Sequence, residues 1–163
     1  MTIEVYDQNL FDRIAMQGKR SDRKRASYNL HSSFGDPCQK LFNVINKYSY
    51  IRPHKHVGAY SDETMICVKG SFILFVFNDE GRMVSVSPFG AIGFDTFGIK
   101  VPPGYWHTLI ALEDNSMILE CKAGPFDVNV PKIFAHWSPC EGTPESIIFL
   151  KGLYDLYANG PIN

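Results

Sequence analysis

Three histidines and one glutamate stand in two short stretches of the chain and have the composition of a metal site. His54 and His56 are separated by one residue, Glu63 follows in the next apolar run, and His107 ends a Pro-Pro-Gly-Tyr-Trp-His segment further along the chain. Because residues two apart in a strand point to the same face, we expect His54 and His56 to project together. Three imidazoles and one carboxylate are a ligand set typical of catalytic first-row metals. The residues therefore predict a metal centre.

The ligand set predicts one divalent first-row ion and allows Fe, Mn, Ni, Co, Cu or Zn. Four protein ligands leave one or two positions open for water, a substrate oxygen or dioxygen. A Lewis-acidic ion suits sugar isomerisation or epimerisation, whereas a redox-active iron suits dioxygenase chemistry. The residue types do not choose between these reactions.

Two residues just before the histidines are candidates for substrate binding. If the run from Tyr50 to His56 is one regular strand, Tyr50 and Arg52 share the histidine face. The Arg52 guanidinium would then suit a carboxylate or phosphate of a substrate. The alternative is an ion pair of Arg52 with Glu63 or Glu120 outside the cavity.

Three further polar residues have two interpretations each. Asn29 and His31 share a face if the chain is extended there, and they either contact substrate or cap a surface turn. Lys122 is an acid, base or anion contact if its face of the last strand points inward. Met117, Leu119 and Cys121 make the opposite face more apolar, which favours an outward Lys122.

From residue 48 onwards, short apolar runs alternate with turn signals. The runs are rich in Ile, Val, Phe and Leu, and Gly, Pro, Asn or Asp separates them. Many short strands with turns between them predict a mostly β chain folded as a sandwich or barrel. We expect strands at 48–54, 63–69, 71–78, 82–87, 99–102, 107–113 and 116–122.

Short helices are predicted outside this region. Asp7 and Gly18 are expected to bound the first helix, and Thr143-Pro144-Glu145 to begin the last one. Asp36-Pro37 resembles a helix start, which predicts a further short helix ending near Asn46 or Lys47. We therefore divide the chain into an N-terminal segment (1–47), a β-barrel core (48–127) and a C-terminal extension with a helix (128–163).

The composition is that of a folded globular protein. The chain has 163 residues, a net charge of −1 and four cysteines without a Cys-x-x-Cys pair. One domain is expected, with reduced thiols in a cytoplasmic setting. The balanced charge argues against nucleic-acid binding, and no apolar run suggests a membrane span or a signal peptide. Apolar faces on both terminal helices predict a homodimer.

Two segments resemble the signature of the cupin family. His54, His56, Glu63 and Gly70 match the first cupin motif, with six residues from His56 to Glu63 where three or four are usual. The second motif is matched by Gly98, Pro102, Gly104 and His107. The resemblance implies a single cupin double-stranded β-helix, a jelly-roll barrel, with short flanking helices at both ends. It also implies that the histidines and Glu63 bind the metal.

Over most of its length, from about Arg25 to Pro144, the chain is similar to the WbuC-type cupin-fold metalloproteins. Matching stretches include Asn29-Leu30-His31, Tyr50 to His56, Val101 to His107, Leu119 to Asp127 and Phe134-Ala135-His136-Trp137. The resemblance implies a small-molecule enzyme that acts on a sugar or nucleotide-sugar intermediate of bacterial surface-polysaccharide (O-antigen) biosynthesis. The alternatives are a metal-dependent dioxygenase or other small-acid enzyme, and a sugar-binding module without catalysis.

Overall fold

The computed structural model describes residues 3–58, 61–126 and 132–160. The strands, in chain order, are β1 (Arg25–Asn29), β2 (Cys38–Ile45), β3 (His54–Lys55), β4 (Glu63–Lys69), β5 (Ser71–Phe77), β6 (Met83–Gly90), β7 (Gly98–Val101), β8 (Trp106–Ala111), β9 (Ser116–Ala123) and β10 (Ile133–Phe134). The helices are α1 (Gln8–Arg20) and α2 (Pro144–Ala158).

The strands form two antiparallel sheets that pack face to face. One sheet has the order β1-β2-β9-β4-β7 and the other β10-β3-β8-β5-β6. Apolar side chains from the facing surfaces fill the space between the sheets, including those of Ile45, Met65, Phe72, Leu109 and Ile118. Two antiparallel sheets with alternating inward residues form the jelly-roll sandwich that the sequence predicts.

Helix α1 covers the outer face of the first sheet. Asp7 caps its first turn by accepting a hydrogen bond from the Leu10 amide (2.9 Å), as predicted. Leu10 and Ile14 pack against side chains of β2 and β9. The helix continues past the expected stop at Gly18 to Arg20. Gly18 is buried beside β2, so its lack of a side chain allows close packing instead of ending the helix.

Helix α2 covers the outer face of the second sheet. Thr143 caps it and Pro144 opens its first turn, as the sequence predicts. Leu150 and Leu153 pack on Ile73, Phe75 and other outward residues of that sheet. Both faces of each sheet are thereby buried over much of their area.

The predicted helix after Asp36 is wrong, because residues Cys38–Ile45 form strand β2. Asp36 accepts hydrogen bonds from the Ser32 amide and the Ser33 hydroxyl, so it closes a turn and does not cap a helix. The apolar residues at 41–45 are spaced as on one face of a helix, which is why the sequence predicted one. Phe42 packs against α1 while Ile45 lies between the sheets, so both faces of the strand are apolar.

The predicted strand at 48–54 is also wrong over most of its length. Of this stretch only His54 lies in a strand, β3, which it forms with Lys55. Residues 50–53 are irregular, so strand parity does not relate Tyr50 and Arg52 to the histidines.

Strands β1 and β2 precede residue 48 and yet belong to the same sheet as β4, β7 and β9. The division of the chain at 47/48 and 127/128 stays a prediction, and the second boundary lies outside the described residues. No helix in the described ranges is both long and apolar enough to cross a membrane.

Candidate metal centre

The two sheets bring the four predicted ligands together at one end of the sandwich. His54 of β3 pairs directly with His107 of β8, and Glu63 begins β4 on the opposite sheet. His56 follows β3. The four potential ligand atoms all lie within 4.8 Å of one another. This spread is close to what bonds of about 2.0–2.2 Å to a single ion require.

Backbone carbonyls fix the ring orientation of two of the histidines. His54 Nδ1 lies 2.9 Å from the Arg52 carbonyl oxygen, and His107 Nδ1 lies 2.9 Å from that of Tyr105. A carbonyl oxygen only accepts hydrogen bonds, so each Nδ1 carries the proton. In a neutral imidazole the Nε2 atom then offers a lone pair, which is the form that binds metals.

Glu63 faces the imidazoles of His107 and His56. Its Oε2 atom lies 3.2 Å from His107 Nε2 and 3.4 Å from His56 Nε2. His56 Nε2 is buried and makes no hydrogen bond with any described residue. A carboxylate oxygen and a neutral imidazole nitrogen repel at this distance unless a cation lies near both. The residues therefore fit a bound metal ion.

The Pro-x-Gly segment before β8 holds the backbone beside the histidines. Gly104 has a φ of +85°, which a residue with a side chain seldom adopts. Its amide donates a hydrogen bond of 2.9 Å to the His56 carbonyl. The turn therefore positions His56 as well as His107.

A polar network extends from Glu63 into the first sheet. Lys122 Nζ lies 3.0 Å from Glu63 Oε1 and 2.5 Å from Glu120 Oε1. Asn43 Nδ2 donates to Glu120 Oε2 at 2.5 Å, and the Ser27 hydroxyl donates to Asn43 Oδ1. Each buried charge therefore has a partner, as burial requires.

The network separates the pKa values of its two carboxyl groups. Burial alone would raise the pKa of Glu63, but the Lys122 ammonium and the neighbouring side chains of His107 and His56 hold it well below the usual value. Burial, together with the negative charge of Glu63, raises the pKa of Glu120 to about 8. Although burial disfavours its ammonium, the two carboxyl groups raise the pKa of Lys122. Near neutral pH, Glu63 is therefore ionised and Glu120 holds a proton.

Burial also lowers the pKa of His54 far below its usual value and, more moderately, that of His56. Their rings are consequently neutral near neutral pH. Neutral imidazole is the metal-binding form, so the protonation state agrees with the ligand role.

A cavity of about 700 Å³ adjoins the candidate metal site at His56. Its lining includes His56, Lys122 and Glu120, together with Asn29 and His31. The volume lies within the range of about 300–1,000 Å³ that is typical of small-molecule sites. Three of the five residues predicted to bind substrate, Asn29, His31 and Lys122, thus border this cavity.

The other two, Tyr50 and Arg52, do not line it. Arg52 donates to the Ser138 hydroxyl (3.1 Å) and to the Ala135 carbonyl (3.0 Å). The Tyr50 hydroxyl donates to the Pro139 carbonyl at 2.9 Å. Both side chains hold the segment that leads to α2, and a substrate role for either one stays a prediction.

The inward face of β9 is the one carrying Glu120 and Lys122, against the expectation from periodicity. Met117 and Leu119 form the more apolar face because α1 packs on it. When the outer face of a strand is also buried, apolar and polar residues no longer alternate along the sequence, so the pattern does not show which face points inward.

Sequence reasoning missed Asn43 and Lys132. Asn43 was assigned to a helix, and Lys132 carried no motif. The strand register supplies the missing signal, because Asn43 of β2 pairs with Ile118 and lies diagonal to Glu120 on β9.

Solved structures share this fold at low sequence identity. Protein SO0799 from Shewanella oneidensis matches with a TM-score of 0.59 and 11% identity, over 80% of this chain and 85% of that chain. The capsular polysaccharide assembling protein CapF from Staphylococcus aureus matches with a TM-score of 0.54 and 20% identity. That match covers 70% of this chain and 30% of CapF, so this chain spans less than a third of CapF. At this identity the likeness shows the fold alone, which is the cupin jelly roll.

Among proteins with curated descriptions, none matches this sequence. One family model, described as "Domain of unknown function (DUF6016)", matches residues 6–87, which are half of the chain. The matched segment contains His54, His56 and Glu63 but ends before His107. The chain therefore belongs to the DUF6016 family and has the cupin fold.

Proposed function

We propose that this protein is a metal-dependent cupin that binds one divalent first-row ion through His54, His56, Glu63 and His107. The observation that carries the proposal is the contact of Glu63 Oε2 with two imidazole Nε2 atoms, at 3.2 and 3.4 Å. The buried ligand set and the adjoining cavity support it.

The substrate that we propose is a sugar or nucleotide-sugar intermediate of surface-polysaccharide synthesis. The similarity to WbuC-type cupins motivates this choice. The description of CapF as a capsular polysaccharide assembling protein agrees with it. The reaction class is isomerisation or epimerisation, in which a proton leaves a carbon next to a carbonyl group.

A bound divalent ion would act as a Lewis acid that polarises the substrate carbonyl. The chain's own residues supply the proton chemistry. Glu120 lines the cavity with a pKa raised to about 8, and Lys122 keeps Glu63 ionised beside the imidazoles. Glu120 is therefore our candidate for proton transfer: its ionised form would accept the proton that leaves the carbon, and its protonated form would return a proton to the substrate.

The test is hydrogen exchange of sugars in D₂O, followed by NMR. Metal-loaded protein is incubated with a panel of hexoses, hexuronates and UDP-linked 4-ketohexoses. We expect deuterium at a carbon next to the carbonyl of at least one sugar, and more than tenfold slower exchange with Glu120→Gln, consistent with general acid–base catalysis. His54→Ala serves as the variant without the metal site.

Other outcomes contradict the proposed reaction. Oxygen uptake with iron bound, in place of exchange, would identify the dioxygenase alternative. Tight sugar binding without exchange or turnover, unchanged in His54→Ala, would identify a binding module.

A further inference from the structure

Among the described residues, the cavity has more positive than negative charge once an ion is bound. In this part of the chain Lys122 and Lys132 line it together with one acidic residue, Glu120, and Glu63 contacts Lys122. Two carboxyl groups of the described residues therefore oppose two ammonium groups and a divalent ion. A partly buried excess of charge is unfavourable unless a ligand neutralises it.

Lys132 is the cation that is available to such a ligand. Lys122 is bound to both Glu63 and Glu120, whereas Lys132 forms no ion pair with any described residue. The side chain of Lys132 is exposed at the cavity wall. Lys132 directly precedes β10, in which Phe134 pairs with His54.

Aromatic side chains form another part of the wall. Phe34 and Phe126 pack with their ring centroids 5.3 Å apart, and 59% and 50% of their surfaces are exposed. His31 lies beside Phe34, and its Nε2 atom is buried without a hydrogen-bond partner in the described parts of the chain. This part of the wall therefore offers ring surfaces and one polar atom to a ligand.

We infer that the ligand of this cavity is an acidic sugar. Its carboxylate or phosphate lies against Lys132, and its ring lies against Phe34 and Phe126. The inference rests on the proposed function, because the bound ion supplies much of the excess positive charge. It goes further by requiring an anionic group on the substrate.

Calorimetric titration of metal-loaded protein with glucose, glucuronate and glucose 6-phosphate tests the inference, because the three ligands share a ring and differ in charge. We expect at least one of the anions to bind about tenfold or more tightly than glucose, as one charge-assisted contact provides. Lys132→Gln should remove this preference and leave glucose binding unchanged. Phe34→Ala should weaken the binding of all three ligands by a similar factor.

Lys151→Gln, on the exposed side of α2, is the control for loss of a surface charge. Metal content is measured for every variant. If metal is retained but glucose binds as tightly as both anions, or if none of the three ligands binds, the acidic-sugar inference is wrong while the metal site stands. If wild-type protein takes up no metal, the proposed function fails and the inference fails with it.

Discussion

At the scale of residues, a backbone carbonyl at Nδ1 prepares each of two histidines for a ligand at Nε2. The carbonyls belong to Arg52 and Tyr105, each two residues before the histidine that it holds. This local contact needs no distant partner. It explains how His54 and His107 keep their orientation next to irregular backbone.

Glu120 provides a prediction about pH. Its pKa is raised to about 8 by burial and by Glu63. The unfolded chain loses this proton near pH 4.5, so the stabilisation is complete below that pH and is lost as the pH rises through 8. Glu120→Gln carries no such proton and keeps an oxygen for Asn43. The free energy of unfolding of the variant, relative to wild type, should therefore increase by a few kcal/mol between pH 5 and pH 9.

Urea unfolding of both metal-free proteins at pH 5, 7 and 9 measures this difference. Parallel pH profiles of wild type and variant would show that Glu120 does not hold its proton in the folded state.

Residue types and spacing were enough to select the four side chains that the fold brings together at the candidate metal site. They were not enough for Asn43, whose contact with Glu120 depends on the pairing of β2 with β9. Arg52 lies outside the cavity for a related reason. The prediction assumed a regular strand, but the chain around Arg52 packs against residues 135–140.

At the scale of elements, β4 and β9 present Glu63 and Lys122 to each other in direct register. Removing one member of a buried ion pair leaves the other charge without a partner. Lys122→Met should therefore lower the free energy of unfolding of the metal-free protein by about 3 kcal/mol. Added metal should restore more stability to this variant than to wild type, because the ion also neutralises Glu63.

Lys100→Met is the matched control. Lys100 pairs with Asp62 at 3.0 Å, but 64% of its side chain is exposed, so the loss should be about 0–1 kcal/mol. Equal losses in the two variants, measured by chemical denaturation, would argue against a buried Lys122–Glu63 pair.

Helix α1 accounts for the apolar outer face of the first sheet. Ile14 is 1% exposed and packs there, whereas Met16 on the same helix is 51% exposed. Ile14→Ala should cost about 2–5 kcal/mol of stability and Met16→Ala less than about 1 kcal/mol. Thermal unfolding of the two variants would contradict this packing if both had the wild-type midpoint.

The strand pattern from residue 63 onwards was predictable because those strands end at clear turn signals. Strand β2 was not predictable from the sequence. The Asp36-Pro37 turn has the residue types of a helix N-terminus, and both faces of the strand are buried. Layers above and below a sheet cannot be inferred from local spacing alone.

At the scale of the whole molecule, the sandwich places the cluster between its sheets and lets helices cover the outer faces. The homodimer stays a prediction. Ile147 and Ile148 on α2 are 71% and 72% exposed, and they are the apolar surface that the predicted dimer would bury. Light scattering should give twice the chain mass of 18.4 kDa. A mass of one chain at micromolar concentration would contradict the prediction.

The central claim is that His54, His56, Glu63 and His107 hold a metal ion. The most direct measurement is the metal content of purified protein, for wild type beside His56→Ala and His107→Ala, with the exposed His136→Ala as control. We predict near-stoichiometric first-row metal in wild type and the control, and its loss from the other two. Wild-type protein that is empty, and stays empty after metal addition, would contradict the claim.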